Sequence, residues 1–181
     1  MDAAPLFDRE TYPHLARLHD YCCSLAGADG LPRAEDFRPG DARWAIGWIN
    51  LVDVIDGGAD FCFRLFGSVC QSVYGANLTG VRLSQIESAG SFVGMSSDYA
   101  KIVRNRRTAY YPGRIIWPNG MELCFGRLLV PFADHDGDVC RIVVATDCGM
   151  SAEDVIMMCG FGPPTVIAHD TGPQSGLAAA I

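Results

Sequence analysis

The chain has 181 residues, of which 49% are hydrophobic and 19% charged, and its formal net charge is −7. This length and apolar content predict a folded domain with a sizeable core and argue against disorder of the whole chain. The acidic balance argues against a nucleic-acid partner, because proteins of that class concentrate positive charge to displace phosphate counterions. The one dense basic run, at residues 101–107, is typical of a solvated helix end.

No apolar stretch reaches the ~20 residues that span a bilayer, and the N-terminus lacks the basic region of a secretory signal. We therefore expect a cytoplasmic protein without a membrane span, whose eight cysteines stay reduced. These cysteines form no C-x-x-C pair and show no zinc-ligand spacing, so no metal site is predicted. Most of them sit in apolar runs, where burial raises thiol pKa values and suppresses reactivity.

The first predicted element is an amphipathic helix within residues 8–27. Its apolar positions recur at spacings of three and four and so share one helical face: Tyr12, Leu15, Leu18, Cys22 and Leu25. A linker rich in Gly, Pro and Asp follows and sets this helix apart, at residues 1–28, from the domain expected at 36–150. The apolar stripe must cover either that domain or a second copy of itself. We favour the second copy, which makes these five residues the dimerisation surface of a homodimer.

The remaining elements alternate between strand and helix periodicity. Residues 47–55 and 60–66 flank the turn DGG and predict an antiparallel hairpin. A short helix at 69–74, a mostly irregular stretch and a longer helix at 92–106 follow. Three strands come next, at 109–117, 121–131 and 139–147, joined by the turns PNG and DHDGD. This order predicts an α+β domain with an antiparallel sheet. Residues 151–181 are expected to form a short helix and a mobile C-terminal segment.

Several motifs along residues 10–148 resemble the stand-alone bacterial PAS-like family. The spacing of Leu15, Leu18, Tyr21 and Leu25 is followed by GLPRAEDFRP at 30–39. The block F-x-x-R-L-x-G lies at 61–67 and the block Y-G-x-x-L-T-G at 74–80, and a strand with Glu122 and Pro131 follows later. One departure is Cys22, where the family pattern suggests a tryptophan after Tyr21.

The resemblance implies a PAS-like sheet of five antiparallel strands, with a helical block on one face and the amphipathic helix at the N-terminus. The family is associated with signalling and with cell-cycle or motility control, and it has no shared cofactor or inherent catalytic activity. It therefore implies a non-catalytic sensor or regulatory protein in signal transduction. Such a protein acts through a single PAS domain by binding a small ligand, a signalling partner in trans, or both. No cofactor is expected, and the identity of any small ligand stays open.

Two arginines and four aromatic residues are the candidate ligand-binding residues. The guanidinium of Arg64 or Arg127 can hold an anionic or carbonyl-bearing ligand, although pairing of Arg64 with Asp53 or Glu122 across strands is the favoured alternative. Strand alternation predicts that Arg64 shares a face with Cys62 and Phe66. The aromatic side chains can line a cavity or simply fill the core, which is the commoner role. The candidates are Trp48, Arg64, Tyr74, Trp117, Phe125 and Arg127.

Two other classes of function compete with the sensor. A small enzyme on the same sheet would use Glu122 or the acidic turn that begins at Asp134 and ends at Asp138, and it requires a carboxylate inside a cavity. A thiol redox sensor would use Cys22 and Cys23, although adjacent cysteines fit disulfide geometry poorly. No catalytic residue is predicted under the favoured hypothesis. The helix at 92–106 has no histidine for haem, and the surroundings of Cys70 lack the flavin photoreceptor motif.

Overall fold

The computed structural model describes residues 6–89, 94–117, 119–159 and 166–169, the last range as backbone only. The helices are α1 (Pro13–Ser24), α2 (Ser68–Tyr74), α3 (Leu83–Ser88), α4 (Met95–Asn105) and α5 (Ala152–Cys159). The strands are β1 (Ile49–Ile55), β2 (Asp60–Leu65), β3 (Ala109–Ile116), β4 (Glu122–Ala133), β5 (Val139–Asp147) and β6 (Val166–His169). Two 3-10 segments flank β1, at Pro39–Trp48 and Asp56–Gly58. The start of the predicted helix at 92–106 and most of the predicted C-terminal tail lie outside the described residues.

The strands form one antiparallel sheet in the order β2-β1-β5-β4-β3-β6. Strands β1 to β5 and helices α2 and α4 are those predicted, so the α+β class with a PAS-like five-stranded sheet is confirmed, whereas α3 forms in a stretch predicted to be mostly irregular. The sixth strand was not predicted. It pairs with β3 from Val166 opposite Ile116 to His169 opposite Gly113. Its four residues are too few for a recognisable alternation, and only the distant edge of β3 supplies their hydrogen bonds. No helix in the described ranges is long and apolar enough to cross a bilayer.

Helix α1 covers one face of this sheet. The side chains of Leu15, Leu18 and Cys22 are fully buried in a core that includes Leu128 and Val143. Tyr12 and Leu25, at the ends of the same stripe, are partly buried against that core. The predicted dimerisation stripe is therefore covered by the sheet of its own chain, and the structure gives no support for its use in a homodimer.

Backbone contacts explain why α1 returns to the sheet. The linker after α1 is tied to the end of β4: the N–H of Ala34 donates to the carbonyl of Ala133, and the N–H of Ala133 donates to the carbonyl of Pro32, both at 2.9 Å. At the other end of α1, the buried Asp147 carboxylate accepts a hydrogen bond of 3.0 Å from the N–H of His14. A carboxylate at a helix N-terminus satisfies backbone donors and favours the helix dipole. The linker is thus part of the domain.

Helices α2, α3 and α4 pack on the opposite face, where an irregularity in β2 decides which side chains enter the core. The β1–β2 register pairs Val52 with Phe63 but Leu51 with Leu65, so Arg64 is the extra residue of a β-bulge. The bulge turns Leu65 toward the core beneath α1, and it turns Phe66 toward Phe63, at a ring distance of 5.2 Å. The predicted placement of Phe66 beside Arg64 is therefore wrong, because simple alternation does not allow for a bulge.

Candidate ligand-binding cavity

A cavity of about 80 Å³ lies between the sheet and helices α2, α4 and α5. Most of its lining is apolar or aromatic, and the contributing side chains include Phe63, Phe66, Val73, Phe125, Val144 and Val155. Such a lining with a few polar groups is the usual character of small-molecule sites. The alternation of β5 explains part of it, since Val144 and Thr146 are two residues apart and both face the cavity.

The cavity gathers most of the predicted ligand-binding residues. Trp48, Tyr74, Phe125 and Arg127 line it. Trp117 does not, because it is buried in the adjoining core below α5, where it is 1% exposed.

Arg64 also lies outside the cavity. Its side chain is 60% exposed, and its Nη1 atom is 3.5 Å from Oδ2 of Asp53. The same carboxylate accepts a hydrogen bond of 2.8 Å from Nε of Arg141 on β5. This is the cross-strand pairing that the sequence favoured over a ligand contact, and the bulge at Arg64 leaves the side chain in solvent.

Other lining residues escaped prediction. Asn50, Tyr99 and Thr146 line the cavity, and their only sequence signals are positions on strand or helix faces that also fit an ordinary core. Asn50 has a second role, because its Oδ1 accepts a hydrogen bond of 2.9 Å from the N–H of Gly67. That bond joins β1 to the start of α2 and holds one wall of the cavity in place.

Arg127 is the charged residue among the described side chains that line the cavity. Its side chain is only 4% exposed, and its Nη2 atom lies 3.7 Å from Oδ2 of Asp98. Its guanidinium carbon lies 5.4 Å from the ring centre of Tyr111 and 6.0 Å from that of Tyr99. Both aromatic rings are within cation–π range. A charged group is thus held at an apolar cavity by one carboxylate and two aromatic faces.

Two phenols next to Arg127 remain protonated at neutral pH. Burial raises the pKa of Tyr99 to about 12, although the nearby Arg127 opposes this shift. Burial also raises the pKa of Tyr74, with Tyr99 adding to the shift and Arg127 opposing it. A phenol in its neutral form offers an O–H donor. The two tyrosines and the guanidinium therefore add polar groups to a mostly apolar lining, and each phenol oxygen can accept as well as donate a hydrogen bond.

Helix α5 forms one wall of the cavity. The sequence analysis predicted that this segment lies outside the domain at 36–150. Val155 is the buried residue of this helix, 1% exposed, and it lines the cavity. The helix begins with a local cap, since Oγ of Ser151 accepts a hydrogen bond of 3.1 Å from the N–H of Asp154. The next two apolar side chains, Ile156 and Met157, are 46% and 73% exposed. Thus α5 contacts the domain mainly along one side.

The carboxylates proposed for an enzyme lie away from the cavity. Glu122 is 46% exposed and 3.7 Å from Arg114 at its Oε1 atom. In the turn at 134–138, Oδ1 of Asp134 accepts hydrogen bonds from the N–H groups of Asp136 and Asp138, which stabilises the hairpin. No Asp or Glu of the described ranges lines the cavity. Within the described ranges, the enzyme alternative therefore lacks the carboxylate inside the cavity that it requires.

The thiols proposed for a redox sensor lie in surroundings that suppress the thiolate. Burial raises the pKa of Cys22 and, with help from Asp20, that of Cys23. Sγ of Cys23 is 3.6 Å from Nδ1 of His19, but burial lowers the pKa of His19, which favours a neutral imidazole. The contact is thus unlike the thiolate–imidazolium pairs of reactive cysteines.

The rate at which each thiol is alkylated should follow its exposure and its pKa. With iodoacetamide at pH 7, we expect the exposed Cys124 to react first, and the buried Cys22 and the partly buried Cys70, whose thiol pKa is raised by burial, to react slowest. Because burial raises the pKa of Cys70 to about 12, its labelling should increase as the pH rises through the alkaline range. Peptide mass spectrometry gives the labelled fractions. Labelling of Cys22 or Cys23 at the rate of Cys124 would revive the redox alternative.

Comparison with known proteins gives likenesses of fold only. No protein-family model matches the chain, and the search of the curated proteins found no match. Among solved structures, an RNA-binding light-oxygen-voltage receptor is similar over 70% of this chain and 38% of its own, with a TM-score of 0.44 and 14% identity. The PAS domain of a protein from Colwellia psychrerythraea is similar over 61% of this chain and 95% of its own, with a TM-score of 0.41 and 12% identity. The matched region thus spans well under half of the receptor.

Proposed function

We propose that this chain is a non-catalytic, cytoplasmic sensor or regulatory protein of the PAS type that binds a small ligand in the cavity beneath α2, α4 and α5. The observation that carries the proposal is the lining itself. It is mostly apolar and includes one buried cation, Arg127, and the phenols of Tyr74 and Tyr99. A few convergent polar groups in an apolar pocket orient a ligand, whereas a core that only stabilises the fold has no need of a charge there.

The size of the cavity favours a compact ligand. At about 80 Å³ it is well below the range of roughly 300–1,000 Å³ typical for drug-sized molecules. A flavin or haem would need the walls to move apart. The RNA binding named for the light-oxygen-voltage receptor is not part of this proposal, because the net charge of −7 disfavours a polyanion partner.

The signal would pass to a protein partner in trans. Helix α5 is a candidate route, because its Val155 touches the cavity while Ile156 and Met157 face solvent on the same helix. A ligand that displaces Val155 would shift that exposed surface. The proposal of a partner rests on this geometry and on the PAS-like motifs of the sequence.

Native mass spectrometry and a thermal-shift panel test the ligand proposal. We expect either a non-covalent adduct on the purified protein or a rise in melting temperature with at least one small metabolite. The variant Val73→Phe places a ring in the cavity and should abolish the effect, while Ser68→Phe adds the same ring at an exposed position of α2 and should preserve it. A clean apo mass together with no thermal shift across the panel would contradict the proposal.

A further inference from the structure

We propose that the ligand is a neutral compound with a single aromatic ring, which makes edge-to-face contacts with the aromatic side chains that line the cavity. This inference rests on the proposed function and names the chemical class of ligand for the same site. Three properties of the cavity lead to it: the compensation of the charge on Arg127, the arrangement of the aromatic rings, and the volume.

The charge of Arg127 is compensated within the protein. Its Nη2 atom lies 3.7 Å from Oδ2 of Asp98, and the rings of Tyr99 and Tyr111 lie within cation–π range. An anionic ligand would therefore lose its hydration without meeting an uncompensated cation. Among the described residues that line the cavity there is no carboxylate, so a cationic ligand would meet the like charge of Arg127. Ions of both signs are disfavoured, which leaves a neutral ligand.

Aromatic side chains from separate elements line the cavity. They are Trp48 from the first 3-10 segment, Phe63 from β2, Phe66 from the link to α2, Tyr74 from α2, Tyr99 from α4 and Phe125 from β4. The ring of Phe66 is nearly perpendicular to two others, at 5.2 Å and 80° to Phe63 and at 5.7 Å and 83° to Tyr74. Such pairs are favourable because the positive edge of one ring meets the negative face of the other. An aromatic guest can extend this arrangement, whereas a saturated ring of the same size cannot.

The rings are held in place before any ligand binds. The N–H of Phe66 donates to Oγ1 of Thr79 at 3.1 Å, and its carbonyl accepts a hydrogen bond of 2.7 Å from Nε2 of Gln71. A Cβ atom at Gly113 would collide with the ring of Phe125, so the glycine allows this ring to lie against β3. Fixed rings lose little conformational entropy when a ligand binds. The cavity is therefore preorganised for a planar guest.

The volume limits the ligand to one ring. A buried water needs roughly 10–15 Å³ of such space, so a cavity of about 80 Å³ accommodates roughly five to eight non-hydrogen atoms. A benzene ring with one small substituent falls inside that range, and two fused rings exceed it.

Calorimetric titration with phenol, cyclohexanol, cyclohexylammonium and butyrate tests the inference. Phenol and cyclohexanol each have one ring and one hydroxyl and differ in aromaticity, while the other two probes carry opposite charges. At neutral pH we expect phenol to bind the full-length protein about fivefold more tightly than cyclohexanol, the effect of one favourable aromatic pair. The two ions should not bind detectably.

Two phenylalanine variants locate the preference. Phe66→Leu removes the ring that contacts both Phe63 and Tyr74 and should abolish the preference for phenol over cyclohexanol. Phe132→Leu makes the same change in the core beneath α1, away from the cavity, and should preserve it. Val73→Phe, which fills the cavity, should abolish phenol binding altogether.

Each outcome decides one claim. If cyclohexanol or either ion binds as tightly as phenol, the neutral aromatic class is ruled out while the cavity remains a ligand site. If Phe66→Leu keeps the preference, or Val73→Phe keeps phenol binding, the proposed ring contacts are wrong. If Phe66→Leu does not fold, the comparison of probes on the unaltered protein still decides. Failure of all four probes overturns this inference, and it extends to the proposed function only if the metabolite panel fails as well.

Discussion

Gly67→Ala should destabilise the protein by at least about 3 kcal/mol, the upper part of the range for overpacking a core. A Cβ atom at this position would lie 2.8 Å from the carbonyl oxygen of Ile49 and even closer to the carbonyl of Gly47. Both neighbours are backbone atoms, which cannot move aside as a flexible side chain can. Gly67 is also the residue whose N–H donates to Asn50. The glycine of the F-x-x-R-L-x-G block thus allows α2 to pack directly on β1.

Gly40→Ala is the matched control for this prediction. A Cβ atom at Gly40 would have no neighbour within 4 Å, and the residue lies in the first 3-10 segment outside the cavity. Urea denaturation should show a large fall in midpoint for Gly67→Ala and a change within about 0.5 kcal/mol for Gly40→Ala, as for most surface substitutions. Equal effects of the two substitutions would mean that the contact between α2 and β1 is not as close as described.

Leu18→Ala should cost about 2–5 kcal/mol, the range for truncating a fully buried leucine. Leu18 is completely inaccessible to solvent and packs into the core between α1 and the sheet. Because this core belongs to one chain, the loss should be independent of protein concentration. If the stripe of α1 instead formed a dimer, the melting temperature of the unaltered protein would rise with concentration, and Leu18→Ala would give a stable monomer.

Ser24→Ala, at the exposed end of α1, is the control for the leucine. It should change the free energy of unfolding by less than about 0.5 kcal/mol. Differential scanning calorimetry over a hundredfold range of concentration, combined with light scattering, distinguishes the two arrangements of α1.

The sheet could be predicted because its strands carry local signals. The turn DGG after β1 and the turn DHDGD after β4 fix two hairpins, and alternation along β5 places Val144 and Thr146 on one face. Prediction from strand alternation fails where one extra residue shifts the register of a strand pair. The bulge at Arg64 reverses the face of Phe66, and no feature of the sequence around it specifies a bulge.

Long-range contacts account for the other differences. The linker after α1 has a loop-like composition, yet it pairs with Ala133 at the end of β4 and brings Leu18 onto the sheet. The wall formed by Val155 comes from a segment with only a weak helical pattern, and its role depends on contact with α2. Of the two candidate arginines, Arg127 reaches the cavity and Arg64 does not, and only the sheet geometry distinguishes them.

Methyl NMR offers the most direct test of whether the cavity is a ligand site. The compound that gives the largest thermal shift would be titrated into protein with labelled Val, Leu and Ile methyl groups. The expected result is a set of shifts centred on Val73, Leu123, Val144 and Val155, which line the cavity, with little change at Val130 and Val143 beneath α1. Shifts confined to methyl groups beneath α1 or on the surface, or no shifts with any compound, would contradict the account.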